Sequence, residues 1–253
     1  MSLSVRQFVK HYATPQRCSA AHRHHAWLTR CAPALVQPDL VAVEPTTLSL
    51  RYVRGRHAEP ADLPRLASML GTAHAQAWAR ELQRAGLDRS HRSADGTVLP
   101  DYTSVRRQAL ERRLAEHYLP DRKALCRLLD ILERTAEGPS AFYKDTNPRN
   151  VLIAASTIFT VDTDDLTLAP FGYDLAKLVH TLALSYHPLK PAAVDSAIQH
   201  YNAAAAETDG CLTVLTSSRF DEFLLLHRVL TAPYLHRDHY RRGAPQPLFR
   251  ETR

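Results

Sequence analysis

The N-terminal part of this 253-residue chain lacks two residue types that most domains use freely. No glycine precedes Gly55, and no aspartate or glutamate precedes Asp39. A glycine-rich loop that brings backbone N–H groups close to phosphate is therefore excluded before that first glycine. Residues 1–38 carry only basic charges, from Arg6, Lys10 and three further arginines, so nearly all of the net charge of +6 is concentrated there.

Cysteine pairs and long apolar runs are also missing. The four cysteines, Cys18, Cys31, Cys126 and Cys211, form no C-x-x-C pair, which predicts reduced structural thiols rather than a disulfide or zinc site. No stretch approaches about 18 uninterrupted apolar residues, so no membrane span is expected. The opening MSLSVRQFVKHY meets a charge at Arg6 and lacks the pattern of a signal peptide, so we expect a cytoplasmic protein.

The basic balance makes nucleic acid the first partner to consider, because the isoelectric point is near 9.3. No basic run is interleaved with aromatic residues, and acidic residues are mixed in after residue 38. We therefore expect no nucleic-acid binding. The content of 45% hydrophobic and 23% charged residues is ordinary for a globular protein with a real core.

Hydrophobic periodicity divides the chain into a small front segment with strands and a mostly helical body. In the front, strands are predicted at residues 5–12 and 47–55, with a helical segment at 18–32 between them. In the body, a hairpin is predicted from NVLIA and TIFTVD, and residues 87–104 read as a polar loop. Helices are predicted in the body at residues 61–86, 105–120, 121–138, 172–186, 192–207 and 218–242.

Residues 142–153 read FYKDTNPRNVLI, a polar loop followed by a branched apolar run. Asp145 and Asn150 flank the loop, and Asp162 ends the second strand of the predicted hairpin. Because hairpin strands lie side by side, we expect Asn150 and Asp162 to meet at one edge. Amide and carboxylate oxygens suit Mg²⁺, and Asp145 could accept a proton from an attacking hydroxyl. The pattern predicts phosphoryl transfer.

The same residues resemble a known family. Their spacing matches the catalytic loop and metal-binding aspartate of the kinase signature, and the following stretch, APFGYDLAKL, is similar to the G-x-P-x-x-D-L-A segment of aminoglycoside phosphotransferases and choline kinases. The resemblance implies an α+β, protein kinase-like fold of two lobes. Residues 1–54 would form a reduced N-lobe ending in the hinge strand, and residues 55–253 a helical C-lobe with the catalytic loop and acceptor site.

The resemblance also implies roles in the C-lobe, with ATP and Mg²⁺ as cofactors. Asp145 would be the catalytic base, and Asn150 and Asp162 would bind Mg²⁺. Lys144 lies outside the family pattern. It either adds charge near the transferring phosphoryl group, as a further catalytic residue, or is simply solvated.

In the N-lobe, FVKHY looks like the strand that carries the phosphate-binding lysine. Lys10 would therefore contact the α and β phosphates of ATP. The strand LSLRYVRG looks like the hinge, so Arg51, Tyr52 and Val53 would hold the adenine.

Other polar and aromatic residues are expected to be structural. Asp174 is predicted to cap a helix or brace the catalytic loop, and Asp164 and Asp165 to be solvated turn residues, with a second metal as the alternative. Trp27 and Trp78 occupy helical apolar positions and are predicted to lie in the core. Several histidines have no third ligand at a metal-binding spacing and are expected to be solvated or half-buried: His22, His24, His25, His236 and His239.

The front segment departs from the family in two ways. It lacks the glycine loop, and it has no acid for the ion pair that kinases form between the lysine and a helix glutamate. Three explanations stay open: a minimal kinase that holds ATP through Mg²⁺ and its basic front, a kinase completed by a partner subunit, or a catalytically weak pseudokinase that acts as a scaffold in a biosynthetic complex. A further hairpin encoded upstream would also account for the loss.

The acceptor implied by the resemblance is a hydroxyl of a natural-product molecule. It would be a small molecule, or a Ser or Thr of a precursor peptide phosphorylated ahead of elimination by a separate lyase, which would be the candidate protein partner near the basic N-lobe. Residues 87–120 and 187–240 are expected to set specificity. The basic composition weighs against a polycationic aminoglycoside and towards a neutral or acidic acceptor.

Overall fold

The computed structural model describes residues 6–210, 212 and 215–235. Its helices are α1 Pro15–Cys31, α2 Leu63–Arg80, α3 Tyr102–Ala115, α4 Arg122–Thr135, α5 Tyr173–Ser185, α6 Pro191–Thr208 and α7 Ser217–Thr231. Its strands are β1 Gln7–His11, β2 Leu40–Glu44, β3 Thr47–Arg51, β4 Arg56–His57, β5 His91–Arg92, β6 Val98–Leu99, β7 Ser140–Tyr143, β8 Val151–Ala154, β9 Thr157–Thr160 and β10 Thr167–Pro170. Together they form an α+β fold of the protein kinase type.

The front of the chain is a three-stranded antiparallel sheet in the order β1-β3-β2, covered by α1. Helix α1 begins where the Thr14 hydroxyl accepts a hydrogen bond from the Arg17 N–H, and Pro15 occupies the first turn. The first half of α1 packs Cys18 and Ala21 against Leu48 of β3, a small buried cluster separate from the main core. The sheet thus has little apolar support of its own.

The second half of α1 belongs to the main core instead. Trp27 and Cys31 are fully buried among residues of the body, which confirms the predicted core position of Trp27. The indole Nε1 donates to Glu81 Oε1 at 3.0 Å, and the ring meets Phe142 edge-on with centroids 5.6 Å apart. Trp78 is partly buried against the same core, as predicted. Helix α1 therefore ties the front sheet to the body.

Helices α2 and α6 make the closest packing in the body. Gly71 of α2 lies against the backbone of Tyr201, where a Cβ atom would collide with the carbonyl oxygen, so the crossing requires glycine. The Tyr201 hydroxyl bonds the Nδ1 of His74 at 2.7 Å and accepts from the Gly172 N–H at 2.8 Å. Burial lowers the pKa of His74 to about 3, so this imidazole is neutral.

The predicted hairpin is confirmed as β8 and β9, which pair from Val151↔Thr160 to Ala154↔Thr157. Strand β4 adds to its other side, and Gly55 approaches the Ile153 carbonyl too closely for any side chain. The sequence patterns did not reveal β2, the β7–β10 pair or the β5–β6 hairpin. The last of these lies in the segment predicted as loop, because its strands of two residues each are too short to show a period.

The thiol prediction is confirmed where the cysteines are buried. Cys18 and Cys31 are free and buried, and burial raises the pKa of Cys31 to about 11. Cys126 is free but exposed, so it is not a packed structural thiol, and Cys211 lies outside the described residues. None of the helices in the described part of the chain is long and apolar enough to cross a membrane.

Candidate active site

The catalytic-loop sequence forms a tight, internally bonded turn between β7 and β8. Asp145 has a left-handed backbone (φ 59°), a conformation that aspartate tolerates better than most residues. Its Oδ1 accepts from the Tyr143 hydroxyl at 2.7 Å, and its carbonyl accepts from Asn150 Nδ2 at 2.9 Å. Because the amide nitrogen of Asn150 is engaged in this way, its oxygen is the atom left to bind a cation.

Asp174, in the first turn of α5, braces this loop from beneath. The carboxylate is fully buried and accepts from the backbone N–H groups of Lys144 and Thr146 and from the Thr146 hydroxyl. Burial raises its pKa, while these hydrogen bonds oppose the rise. Of the two structural roles predicted for Asp174, these contacts support the brace. The helix cap is Gly172.

Lys144 joins the catalytic loop to the end of the hairpin. Its Nζ donates to the carbonyls of Val161, at 2.6 Å, and Asp162, at 3.1 Å. The residue is only 3% exposed, so the alternative of a solvated lysine is wrong. Burial lowers its pKa to about 8, although the nearby carboxylates oppose the fall.

The hairpin brings Asn150 and Asp162 to the same end, as expected. The Val161 N–H donates to the Asn150 carbonyl at 2.9 Å, one residue before Asp162. Asp162 also has a left-handed backbone (φ 64°), and about half of its side chain is exposed. This end of the hairpin therefore carries one amide side chain and one carboxylate. This is a hard-oxygen donor set that fits Mg²⁺, the cation implied by the kinase pattern.

Lys10 reaches this donor set from the front sheet. Its Nζ lies 2.6 Å from Asp162 Oδ1 and 2.8 Å from Asp164 Oδ2. Burial alone would lower the pKa of Lys10, but its hydrogen bonds to both carboxylates outweigh burial and raise it. The front segment has no acid in α1 to pair with Lys10, and the body supplies that acid instead.

Asp164 is held by three residues of the front segment, so its prediction as a solvated turn residue is wrong. Besides Lys10, the Tyr12 hydroxyl donates to its Oδ1 at 3.0 Å, and Nδ1 of His24 lies 2.8 Å from its carbonyl oxygen. His24 comes from the α1 segment where a kinase would carry its glutamate. Asp165 is exposed, as predicted. Sequence reasoning missed the partnership because 152 residues separate Tyr12 from Asp164.

The histidine predictions are mostly confirmed in the described residues. His22 is partly exposed, and His25 is half-buried with Nε2 3.1 Å from the Pro38 carbonyl oxygen. His24 is more deeply buried than expected. No group of three or more His, Cys, Asp or Glu that could hold a metal occurs in the described ranges. His236 and His239 lie outside those ranges.

The predicted hinge continues from β3 at the rim of the front sheet. The Arg51 N–H donates to the Asp39 carbonyl at 2.8 Å, and the Tyr52 N–H to the Arg6 carbonyl at 2.9 Å. The Arg6 guanidinium also stacks on the Tyr52 ring. Both N–H groups are engaged within the lobe, so they cannot donate to adenine. Val53, the third predicted adenine-binding residue, follows these two sheet-bonded residues in the chain.

A cavity of about 440 Å³ opens beside Asp145, and none of the described residues that line it belongs to the front sheet. Its walls come from the catalytic loop, β7, β10, α3, α5, α7 and the turn that follows α7, so both segments expected to set specificity contribute. Its lining residues are Val105, Arg106, Ala109, Arg113, Tyr143, Asp145, Asn147, Arg149, Asp165, Thr167, Tyr173, Lys177, His227, Leu230, Thr231 and Tyr234.

Lys177 of α5 sets the charge state of Asp145 in this cavity. Its Nζ is 3.4 Å from Asp145 Oδ1 and 3.3 Å from the Thr231 hydroxyl. Burial alone would raise the pKa of Asp145, but Lys177 and the Tyr143 hydroxyl more than offset it, so the pKa lies below its ordinary value. Asp145 is therefore ionised at neutral pH. Sequence reasoning missed both Lys177 and Arg106. The GYDLAKL stretch that contains Lys177 could have drawn attention to it, whereas nothing in the sequence pointed to Arg106.

Comparison with known proteins agrees with this geometry. A sequence profile described as the phosphotransferase enzyme family matches residues 3–211. A search of curated proteins gave no match. Among solved structures, the chain is similar to macrolide 2'-phosphotransferase from Brachybacterium faecium, with a TM-score of 0.55 and 20% identity over 93% of this chain and 81% of that one.

Two further structures share the fold. Choline kinase from Streptococcus pneumoniae has a TM-score of 0.59 and 11% identity, over 92% of this chain and 78% of that one. Amicoumacin kinase, solved with AMP-PNP, Ca²⁺ and Ami, has a TM-score of 0.57 and 13% identity, over 91% and 73%. The family match, which spans most of the chain, together with this shared kinase-like fold shows that the chain belongs to the phosphotransferase enzyme family.

Proposed function

We propose that this enzyme transfers the γ-phosphate of ATP to a hydroxyl group, with Mg²⁺ as the metal cofactor. The observation that carries the proposal is the convergence of Asp145, Asn150 and Asp162 with Lys10 at one edge of the β8–β9 hairpin. The amicoumacin kinase solved with AMP-PNP and Ca²⁺ favours a nucleotide and a divalent cation in such a site.

Each residue of the C-lobe site has a chemical task in this reaction. Asp145 accepts the proton of the acceptor hydroxyl while the hydroxyl oxygen forms a bond to the γ-phosphorus. The bond from that phosphorus to the bridging oxygen breaks, and ADP leaves with the electron pair. Mg²⁺ held by Asn150 and Asp162 would neutralise phosphate charge. Lys144 fixes the Asp162 loop and places its own charge beside the transferring group.

The front lobe holds the nucleotide. Lys10 contacts the α and β phosphates, and Asp164 acts through Lys10 as the acid that positions it. Adenine lies against the hinge residues Arg51, Tyr52 and Val53. With the N–H groups of the first two engaged in the sheet, the backbone N–H of Val53 is the hinge donor to adenine that we propose.

The acceptor is a hydroxyl of a natural-product molecule, either a small molecule or a Ser or Thr of a precursor peptide. Its support is the cavity beside Asp145, whose volume of about 440 Å³ suits a small molecule or a single side chain with its neighbours. The names of the similar structures, which specify a macrolide, choline and amicoumacin, also favour a small hydroxyl compound.

Turnover of ATP with Mg²⁺ tests the proposal. The Asp145→Ala and Asp162→Ala variants are each expected to lose about 10²-fold or more of kcat, because general-base and metal-binding functions are removed. Asp195→Asn, an exposed carboxylate on α6, is the matched control and is expected to keep full activity. Nucleotide binding unaffected by Asp162→Ala, with no turnover for any acceptor, would favour a scaffold instead.

We further propose that a protein partner, such as a lyase of the same pathway, covers the front sheet. Strand β1 pairs only with β3 among the described residues, and Phe8 (54% exposed) and Val9 (43% exposed) lie on it. An open strand edge is a ready site for strand addition. Adding the partner should lower the KM for ATP. The Val9→Pro variant should show no such decrease in KM, while its turnover without the partner should equal that of the wild type.

A further inference from the structure

The cavity beside Asp145 has an unusual charge for a site next to a catalytic carboxylate. Four cationic side chains line it, Arg106, Arg113, Arg149 and Lys177, against two carboxylates, one of which is Asp145 itself. His227, also in the wall, adds no charge, because burial and the nearby Lys177 hold its pKa well below its ordinary value. Among the cations, Lys177 is paired with Asp145, and Arg113 with Glu116, which lies just outside the lining. Counting Glu116, four cations stand against three carboxylates, so the cavity keeps an excess of positive charge.

Arg106 contributes a charge that no carboxylate balances within the described residues. It is only 4% exposed, and its guanidinium donates to the Leu168 carbonyl and the Thr167 hydroxyl, both neutral acceptors. A buried cation without a carboxylate partner is costly, and a ligand carboxylate that approached it would relieve that cost. Arg113 differs from Arg106, because its guanidinium is paired with Glu116 at 2.8 Å, and only its buried Nε finds no acceptor in the described part of the chain.

Two tyrosines that line the cavity, Tyr143 and Tyr173, and Tyr102 beside them already hold the Arg106 cation against their rings. The Arg106 guanidinium lies 4.9 Å from the ring centroid of Tyr102, 5.1 Å from that of Tyr143 and 5.0 Å from that of Tyr173. Ring faces of this kind could otherwise bind a quaternary or primary ammonium group. Here they stabilise the protein's own arginine, so a cationic acceptor would meet like charge.

We propose that the acceptor of this phosphotransferase is an anionic alcohol, in which a carboxylate binds the Arg106 side of the cavity while the hydroxyl faces Asp145. This inference rests on the proposed function and specifies its substrate class. The cavity excludes polycationic acceptors by charge, and Val105, Ala109 and Leu230 offer the apolar wall that the carbon skeleton would contact. The shared chemistry fits a free hydroxy acid or a serine beside an acidic residue.

A charge series at constant size tests this. The probes are 3-(hydroxymethyl)benzoate, its amide, and the corresponding benzylamine, which all carry the same hydroxyl. Their Kd values are measured by calorimetry, and phosphate transfer from ATP with Mg²⁺ is measured in parallel. A second arm compares acetyl-Asp-Ser-amide with acetyl-Asn-Ser-amide, and so distinguishes a small molecule from a peptide.

In whichever arm the probes fit the cavity, the carboxylate is expected to bind about tenfold or more tightly than its amide, because the carboxylate gains a charged hydrogen bond. The amine is expected to bind most weakly. In Arg106→Gln, the Kd values of the carboxylate and the amide should become nearly equal. Arg149→Gln is a second variant, in case Arg106→Gln does not fold, and the same result is expected for it. Equal binding of acid and amide by the wild type, tightest binding by the amine, or no binding of either carboxylate at about 10 mM would overturn the inference.

The two proposals fail in different ways. Phosphate transfer that proceeds equally to the acid, amide and amine, and that Asp145→Ala abolishes, would leave the phosphotransferase function standing and overturn the anionic acceptor. Selective binding of the carboxylate without turnover of ATP by any acceptor or water would overturn the proposed function instead. Selective binding together with transfer to the carboxylate supports both.

Discussion

The front lobe and the body of this kinase-like enzyme are stabilised in different ways. The body packs one large core, and its catalytic loop is braced internally by buried Asp174 and Lys144. Among the described residues, the apolar support of the front sheet is the small cluster of Cys18, Ala21 and Leu48, and the sheet is further held by α1 and by carboxylates of the body. Ion pairs with Asp162 and Asp164 of the body thus hold Lys10 of the front sheet in place.

The largest expected effect is on the free energy of unfolding, at Trp27, through which α1 packs into the core of the body. Trp27→Ala removes a fully buried indole together with its bond to Glu81, and should lower the free energy of unfolding by about 3–5 kcal/mol. Leu48→Ala, in the small front cluster, should cost only about 2 kcal/mol, the low end for such truncations. Denaturant unfolding of both variants measures the difference. Equal costs would mean that the front sheet has support comparable to that of the body.

The next effect concerns the brace of the catalytic loop. Asp174→Ala leaves the N–H groups of Lys144 and Thr146 and the Thr146 hydroxyl without their buried acceptor. At about 1 kcal/mol or more for each unsatisfied group, we expect a loss of about 3 kcal/mol in unfolding free energy. Turnover should fall with it, because the backbone of Asp145 is no longer held. Asp130→Asn, exposed on α4, is the control, and a stable Asp174→Ala enzyme with normal turnover would refute the brace.

The smallest effect is a shift in pH dependence. Lys177 is the main group that lowers the pKa of Asp145, so Lys177→Met should raise it. The base works as a carboxylate, so the acid limb of kcat/KM lies at lower pH in the wild type than an ordinary aspartate would give, and moves to higher pH in the variant. The measurement is kcat/KM for ATP from about pH 4 to 8. Lys190→Met, on the surface, should leave the profile unchanged, and an unchanged profile in Lys177→Met would contradict the assignment.

The local and the long-range features differed in how far the sequence could predict them. The catalytic loop, the β8–β9 hairpin and the long helices were predictable, because turn chemistry and hydrophobic periodicity act over a few residues. The partnership of Lys10 with Asp164 was not, since it depends on how the lobes dock. The charge of the acceptor cavity was also hidden, because Arg106 and Lys177 come from helices far apart in the chain.

The dependence of the front lobe on the body is tested most directly by a double-mutant cycle on kcat/KM for ATP. Lys10→Met and Asp164→Asn should each lower it by about tenfold, because one removes the phosphate contact and the other the acid that positions it. If Asp164 acts through Lys10, the double variant should be no worse than Lys10→Met alone. Losses that multiply to about a hundredfold would show that the two residues act independently and would contradict the account.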